Sequence, residues 1–261
     1  MTTLIDFKSY GKDIIVNVLE EYSTGCGIPC NKISLDIINI ANLIESYIYQ
    51  DFKTYYEDGT LKSKYTLYYE YKEGKYEEWW DRVADNTISD CGQKKIECHY
   101  KEGKKDGLYE EWYRGADNLN EDRGQKYKQC FYKEDNLEGL YQEWWNNGKI
   151  YKEHNYKEGK KEGLCKQWWA ASDQLFILFN YKEDKIEGLC QMWWPNGQKE
   201  LECYYKENLF NGIHHYWWED GQKLCELNYI NGKLNGKCKH WNEENGQLTE
   251  RIYENDIEVI N

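Results

Sequence analysis

From about Tyr71 onward the chain alternates apolar and polar residues in short runs, and the same pattern keeps returning. It is clearest in residues 181–205, YKEDKIEGLCQMWWPNGQKELECYY. Ile177, Phe179 and Tyr181 occupy every second position, as do Leu201, Cys203 and Tyr205, and Cys225, Leu227 and Tyr229. Period two puts each trio on one face of a strand. The strand that follows carries Leu140 and Trp144 on one face and Tyr141 and Trp145 on the other. The pattern predicts a β-hairpin, copied many times.

The spacing makes the repeat explicit. Anchor tyrosines stand at Tyr100, Tyr132, Tyr156, Tyr181, Tyr205, Tyr229 and Tyr253, most of them 24 residues apart. Seven residues after each of the first six comes a glycine, and twelve after comes a tryptophan, from Trp112 to Trp241. Three after the anchor sits Gly, Asp or Asn, the residues that best tolerate positive φ, so a turn is expected there. A second turn reads Asn147-Gly148, Asn196-Gly197, Asp220-Gly221 or Asn245-Gly246, the strongest short-range hairpin signal. A lone hairpin is marginal in water, so the copies must pair edge to edge. The expected fold is mainly β: an elongated single-layer antiparallel meander of stacked hairpins of about 24 residues over 51–261.

Residues 1–50 break the pattern. Thr3–Tyr22 and Ile33–Tyr49 carry apolar residues at helical spacing, with Ile33, Ile37, Ile40, Ile44 and Ile48 as the stripe of the second. This leader is expected to be a small α-helical cap over the first sheet edge, or else a partner-docking segment. Tyr55-Tyr56-Glu57-Asp58-Gly59 matches the late half of a unit, and Tyr71–Trp80 reads as a shortened copy. Two polar, acidic insertions follow Trp80 and Tyr113, one unit apart on the same edge. The tail from Glu254 reads as the end of the last strand.

Composition narrows the function. The 25 tyrosines and 12 tryptophans suit aromatic ladders, and two prolines among 261 residues suit strands. The net charge of −13 speaks against nucleic-acid binding, and against anionic lipid unless the lysines gather on one face. Charges near the start interrupt any export signal, and no run of about 20 apolar residues could cross a bilayer, so a cytoplasmic location is expected. The ten cysteines then read as reduced thiols, with Cys165, Cys190 and Cys238 at one packing position.

No catalytic or cofactor pattern is found: there is no phosphate-cradling glycine loop, no HExxH and no GxSxG. Cys26 and Cys30 are a tight pair without a matching second pair, which gives no zinc site. His214 and His215 are adjacent in a strand and point to opposite faces. The recurrent glutamates two residues after the anchors read as solvated turn charges pairing with the preceding lysine. No enzyme activity, metal or cofactor is expected.

The pattern Tyr-x-x-Gly-x-x-x-Gly-x-x-x-x-Trp-Trp, clearest in Tyr156–Trp169 and Tyr181–Gln198, resembles the MORN-repeat variant found in YwqK-type antitoxin-like proteins and in MORN-repeat proteins of large DNA viruses. The likeness covers roughly residues 52–253 and none of the leader. It implies a curved β-meander and a scaffolding role, and the Lys, Asn, Ile and Tyr bias fits a viral or bacterial source. The expected function is therefore a non-enzymatic scaffold for a protein partner. The candidate contacts are the second aromatic of each pair, Tyr113, Trp145, Trp169, Trp194 and Trp218, together with Asp85, Asp90, Glu121 and Asp122 in the acidic insertions. The alternatives are an antitoxin-like neutraliser of a partner protein, and a module for a small ligand or lipid headgroup whose aromatic rings hold a quaternary ammonium.

Overall fold

A computed structural model describes residues 48–81, 93–114 and 124–259. Residues 1–47 of the leader, expected to be helical, and the candidates Asp85, Asp90, Glu121 and Asp122 lie outside the described residues. Within them the chain forms one open antiparallel sheet of twenty strands in which pairing follows chain order. The strands are β1 (Tyr49–Tyr55), β2 (Leu61–Tyr68), β3 (Tyr71–Trp79), β4 (Lys94–Lys101), β5 (Lys104–Trp112), β6 (Lys126–Lys133) and β7 (Asn136–Trp144). Next come β8 (Ile150–Lys157), β9 (Lys160–Trp168), β10 (Leu175–Lys182), β11 (Lys185–Ile186), β12 (Gly188–Trp193), β13 (Lys199–Lys206) and β14 (Leu209–Phe210). The last six are β15 (Gly212–Trp217), β16 (Lys223–Ile230), β17 (Lys233–Leu234), β18 (Gly236–Trp241), β19 (Leu248–Glu254) and β20 (Ile257–Glu258). The sheet begins at Tyr49, so Tyr49 and Gln50 belong to β1 and not to the leader.

The turn after each anchor is a two-residue loop with both residues in the left-handed region: φ is 52° at Glu158 and 79° at Gly159, and 47° and 67° at Glu183 and Asp184. This mirror-image turn matches the twist of the flanking strands. Positive φ at the glutamate was not expected, and its charge pairs differently too. Glu183 meets Lys160 at 3.8 Å and Glu207 meets Lys185 at 3.3 Å, lysines of the preceding unit.

These turns are tied to one another. The N–H of Asp184 donates to the Lys161 carbonyl at 3.0 Å, and the Lys161 N–H donates back to Asp184 Oδ1 at 2.8 Å. The Glu183 N–H donates to Glu162 Oε2 at 2.9 Å. The same clasp recurs where Asn208 meets Ile186 and where Asp256 meets Leu234. Where glycine stands in place of Asp or Asn, as at Gly159, the backbone bond remains without its return. The choice of Asp and Asn at this position thus has a second cause beyond φ.

The opposite turns after Trp145, Trp194 and Trp218 are three-residue loops, and those after Trp169 and Asn242 have four residues. Trp194 N–H donates to the Gln198 carbonyl and Gly197 N–H to the Trp194 carbonyl, with Gln198 N–H on Asn196 Oδ1. Both inserted loops spring from this edge, closed at their bases by Trp80 N–H on the Gln93 carbonyl and Tyr113 N–H on the Gln125 carbonyl.

The glycine seven residues after the anchor sits in a bulge. Between β8 and β9 the register runs from Glu153↔Lys166 to Asn155↔Glu162, leaving extra residues around Gly163, whose φ is 78°. A Cβ there would meet nothing within 4 Å, so the position needs glycine for its backbone angle and not for space. On its other side Gly163 lies opposite Tyr181, and the equivalent glycine lies opposite the next anchor throughout.

That register revises two expectations. Gly74, with φ 72°, lies opposite Tyr100, so Tyr71–Trp80 is not shortened: it is a full copy whose anchor position is held by Leu67. The tail does not finish β19; Asn255 and Asp256 form another left-handed turn and β20 folds back onto it.

One face of the sheet holds the core. Cys98, Cys130, Cys165, Cys190, Cys203 and Cys238 lie there at 0–5 % exposure, with His154, Phe179 and His214 at equivalent positions. No second layer is present among the described residues. The small thiols are covered by taller neighbours on the same face, such as Tyr181, Ile186, Met192, Tyr205 and Phe210. The packing role expected of the thiols and of His214 holds.

Candidate interaction surface

The second aromatics do not form an exposed row. Tyr113, Trp145, Trp169, Trp194 and Trp218 are all half-buried. Tyr113 packs edge-on against Tyr127, and Trp145 and Trp169 lie tilted against Tyr151 and Phe176, with centroids 4.3–5.0 Å apart. Three of the five reach the backbone of the following unit with their polar atoms. Tyr113 Oη donates to the Trp144 carbonyl at 2.8 Å, Trp169 Nε1 to Trp193 at 3.1 Å and Trp194 Nε1 to Trp217 at 3.2 Å. Trp145 and Trp218 keep buried Nε1 groups without a partner. The row is a fastening between units. The first tryptophans are not stacked on each other; lysines lie over their rings, as Lys126 over Trp144 and Lys199 over Trp217.

The exposed apolar surface lies elsewhere. One residue past the bulge glycine in four successive units stand Leu140, Leu164, Leu189 and Ile213, 37–48 % exposed on the face opposite the thiols, with lysine at this position in the units of Gly74 and Gly236. Beside them, just before the anchors, stand Phe131 and Tyr204, also exposed. Leu189 lies directly opposite Tyr204 in register, and Leu108 opposite Phe131. From β7 to β15 the row crosses six strand spacings, about 30 Å at ~4.8 Å each. A stripe of this length approaches the few hundred Å² that mark interaction surfaces. Local pattern alone hides it, because a leucine between a bulge glycine and a buried thiol looks like core.

Beside the stripe runs a polar row that neutralises itself. Lys166 meets Glu153 at 3.3 Å, Lys199 meets Glu202 at 2.6 Å, and Glu226 holds Lys223 and Lys239 at 2.9 Å. Hydrogen bonds from Lys239 and Lys223 pull the Glu226 carboxyl down to about 2. An apolar strip with a satisfied polar margin has the anatomy of a protein contact.

Several rings of the thiol face already carry a cation. Lys72 lies over the rings of Tyr65, Tyr76 and Tyr100, Lys105 over Tyr109 and Tyr132, and Lys161 over Tyr181. The chain's own cations occupy the places a quaternary ammonium would take. Among the described residues no group of three or more His, Cys, Asp or Glu converges to hold a metal, and no helix is long and apolar enough to cross a membrane. A cavity of about 470 Å³ lies near the last strands, with Leu227, Leu234 and Cys238 in its wall and Arg251 at its edge, where Glu258 lies 3.4 Å from the guanidinium. No family model matches the chain, and a search of curated proteins finds no match.

Proposed function

We propose that the chain is a non-enzymatic binding scaffold that docks a protein partner along the leucine stripe. The observation that carries this reading is the row Leu140, Leu164, Leu189 and Ile213, exposed in four successive units beside a self-paired polar row. Exposed apolar side chains held on a rigid ladder bind with little ordering cost. The likeness to MORN-variant repeats, which implies scaffolding, supports the same role. The second aromatics contribute by fixing the spacing of the units rather than by touching the partner.

The test is a comparison of the full chain with its Leu164→Glu/Ile213→Glu variant. Both positions face solvent, so far-UV circular dichroism and thermal midpoint should stay unchanged. Cross-linking followed by mass spectrometry in native extract should map the partner onto peptides containing residues 131–213, and the variant should lose at least tenfold of the cross-linked product. Equal capture by both proteins would refute the stripe as the docking surface.

A further inference from the structure

Seven free thiols lie among the described residues, and their pairing across the sheet is uneven. Cys98 faces Tyr109, Tyr109 faces Cys130, and Cys165 faces Phe179. Cys225 faces His240 and Cys238 faces Arg251. At each of these levels a small thiol sits beside a larger side chain. Among the described residues only β12 and β13 bring two thiols face to face, Cys190 directly opposite Cys203 in an unbroken stretch of ladder from Gly188 to Met192.

Directly opposed residues of an antiparallel pair have Cα atoms about 4.5–5.5 Å apart. That lies inside the range a disulfide spans, whereas thiols two strands apart, at about 9.6 Å, are beyond it. Cys98 and Cys130 are separated by β5 in this way, and Cys165 and Cys190 by β10.

We infer that Cys190 and Cys203 form a reversible oxidation site, closing to a cross-strand disulfide between neighbouring units when a hydroperoxide reaches the thiol face. The two thiols already share a hydrogen bond, which lowers the Cys190 pKa and raises that of Cys203. Cys190 is also the more exposed of the two, at 4 % against 0 %. In the proposed sequence Cys190 attacks first. Its thiolate takes the terminal oxygen of the hydroperoxide, the O–O bond breaks, and the alcohol leaves with a proton. The resulting Cys190 sulfenic acid is attacked by the Cys203 sulfur; the S–S bond forms, the S–O bond breaks, and hydroxide leaves as water with the Cys203 proton. Two thiols lose two electrons and two protons, and the peroxide is reduced to alcohol and water. Side chains of the same face cover the pair, which is 0–4 % exposed, so a small oxidant reaches it through local opening of that face. The closed ring staples the unit at Tyr181 to the unit at Tyr205. It lies behind Leu189 and Tyr204, the adjacent register pair on the docking face. The pairing holds whether or not a partner occupies that face.

The experiment treats the folded, fully reduced chain with hydrogen peroxide, then unfolds it, blocks remaining thiols with N-ethylmaleimide and maps a non-reducing digest. Expected is a cross-linked peptide joining Cys190 to Cys203, lighter than the sum of its reduced parts by about 2 Da and lost on dithiothreitol treatment. Cys98, Cys130 and Cys165 should remain alkylated. In Cys190→Ser the cross-link disappears and Cys203 is recovered alkylated; Cys203→Ser should leave Cys190 reversibly oxidised without the cross-link, with circular dichroism confirming that both variants fold. Recovery of both cysteines alkylated, a bridge from either to another thiol, irreversible over-oxidation alone, or a cross-link that forms only in guanidinium would each overturn the inference.

Discussion

His154 provides the sharpest test of how this single-layer core is held. It occupies the position that Cys98, Cys130, Phe179 and Cys203 hold in other units, is 1 % exposed, and has no partner for either ring nitrogen. Tyr141 and Tyr156 lie against it with ring centroids 4.7 and 4.9 Å away. Burial, with Lys152 and Lys161 nearby, lowers its pKa to about 4. The unfolded chain, at about 6.5, binds more protons between those two values. Stability therefore rises with pH across that window and is lost as pH falls from about 6.5 towards 4. At pH 5 the linkage amounts to about 2 kcal/mol, reduced to about 1–2 kcal/mol because side chains alone cover the ring.

Replacing His154 with Phe, the residue of the Phe179 unit, removes this titration while keeping a ring. The two unpaired nitrogens also go, so the variant should be at least as stable as the wild type at pH 7.5. Urea melts at pH 7.5 and 5.0 read the effect. With a slope of about 2 kcal/mol/M, the wild-type midpoint should fall by about 0.5–1 M more than that of His154→Phe. His214 is also lowered by burial, but it is present in both proteins and cancels. The paired carboxylates Glu202 and Glu226 have lowered values, so their contribution is lost below the ordinary carboxylate range and not between pH 7.5 and 5. Equal drops in the two proteins would refute the account of His154 as a buried, neutral ring.

Three further outcomes follow from the backbone and the fastenings. Glu158→Asn should raise the thermal midpoint, by about 0.5–1 kcal/mol in stability, because Asn tolerates the left-handed angle that costs other residues roughly 1–2 kcal/mol; no gain in a calorimetric scan would sink this. Gly163→Ala should cost about 1–2 kcal/mol from backbone strain alone, since its added methyl meets no atom, and a neutral result in denaturant melts would show that the bulge relaxes. Trp194→Phe should cost about 1 kcal/mol more than Trp145→Phe, because only the former loses a hydrogen bond to the next unit; equal costs in parallel melts would contradict the fastening role.

Much of the fold was legible because hairpin arrays write their turns and alternation into local sequence. Glycine, Asp and Asn marked the left-handed positions, and every second residue before Tyr181 or Tyr205 marked the inner face. The unit at Leu67 was misread because the tyrosine used to find the units is absent there; only the register of Gly74 against Tyr100 reveals it. The surface was less legible. Alternation correctly separates Trp144 from Trp145, but whether Trp169 is exposed depends on its reach to the Trp193 carbonyl in the next unit. The same non-local geometry leaves Leu164 and Ile213 bare, although their hydrophobicity alone suggests interior.

The Asp and Asn clasps give the array a direction in which it can grow. Each turn grips the one before it, as Asp184 does with Lys161 and Asn208 with Ile186, and none reaches two units away. Excising residues 181–204 would hand the vacated grip to Asn208, and duplicating them would add one more rung. The length of such a protein can therefore drift by whole units under mutation while every surviving junction keeps its old chemistry, much as a ladder is cut or spliced without redesigning its joints.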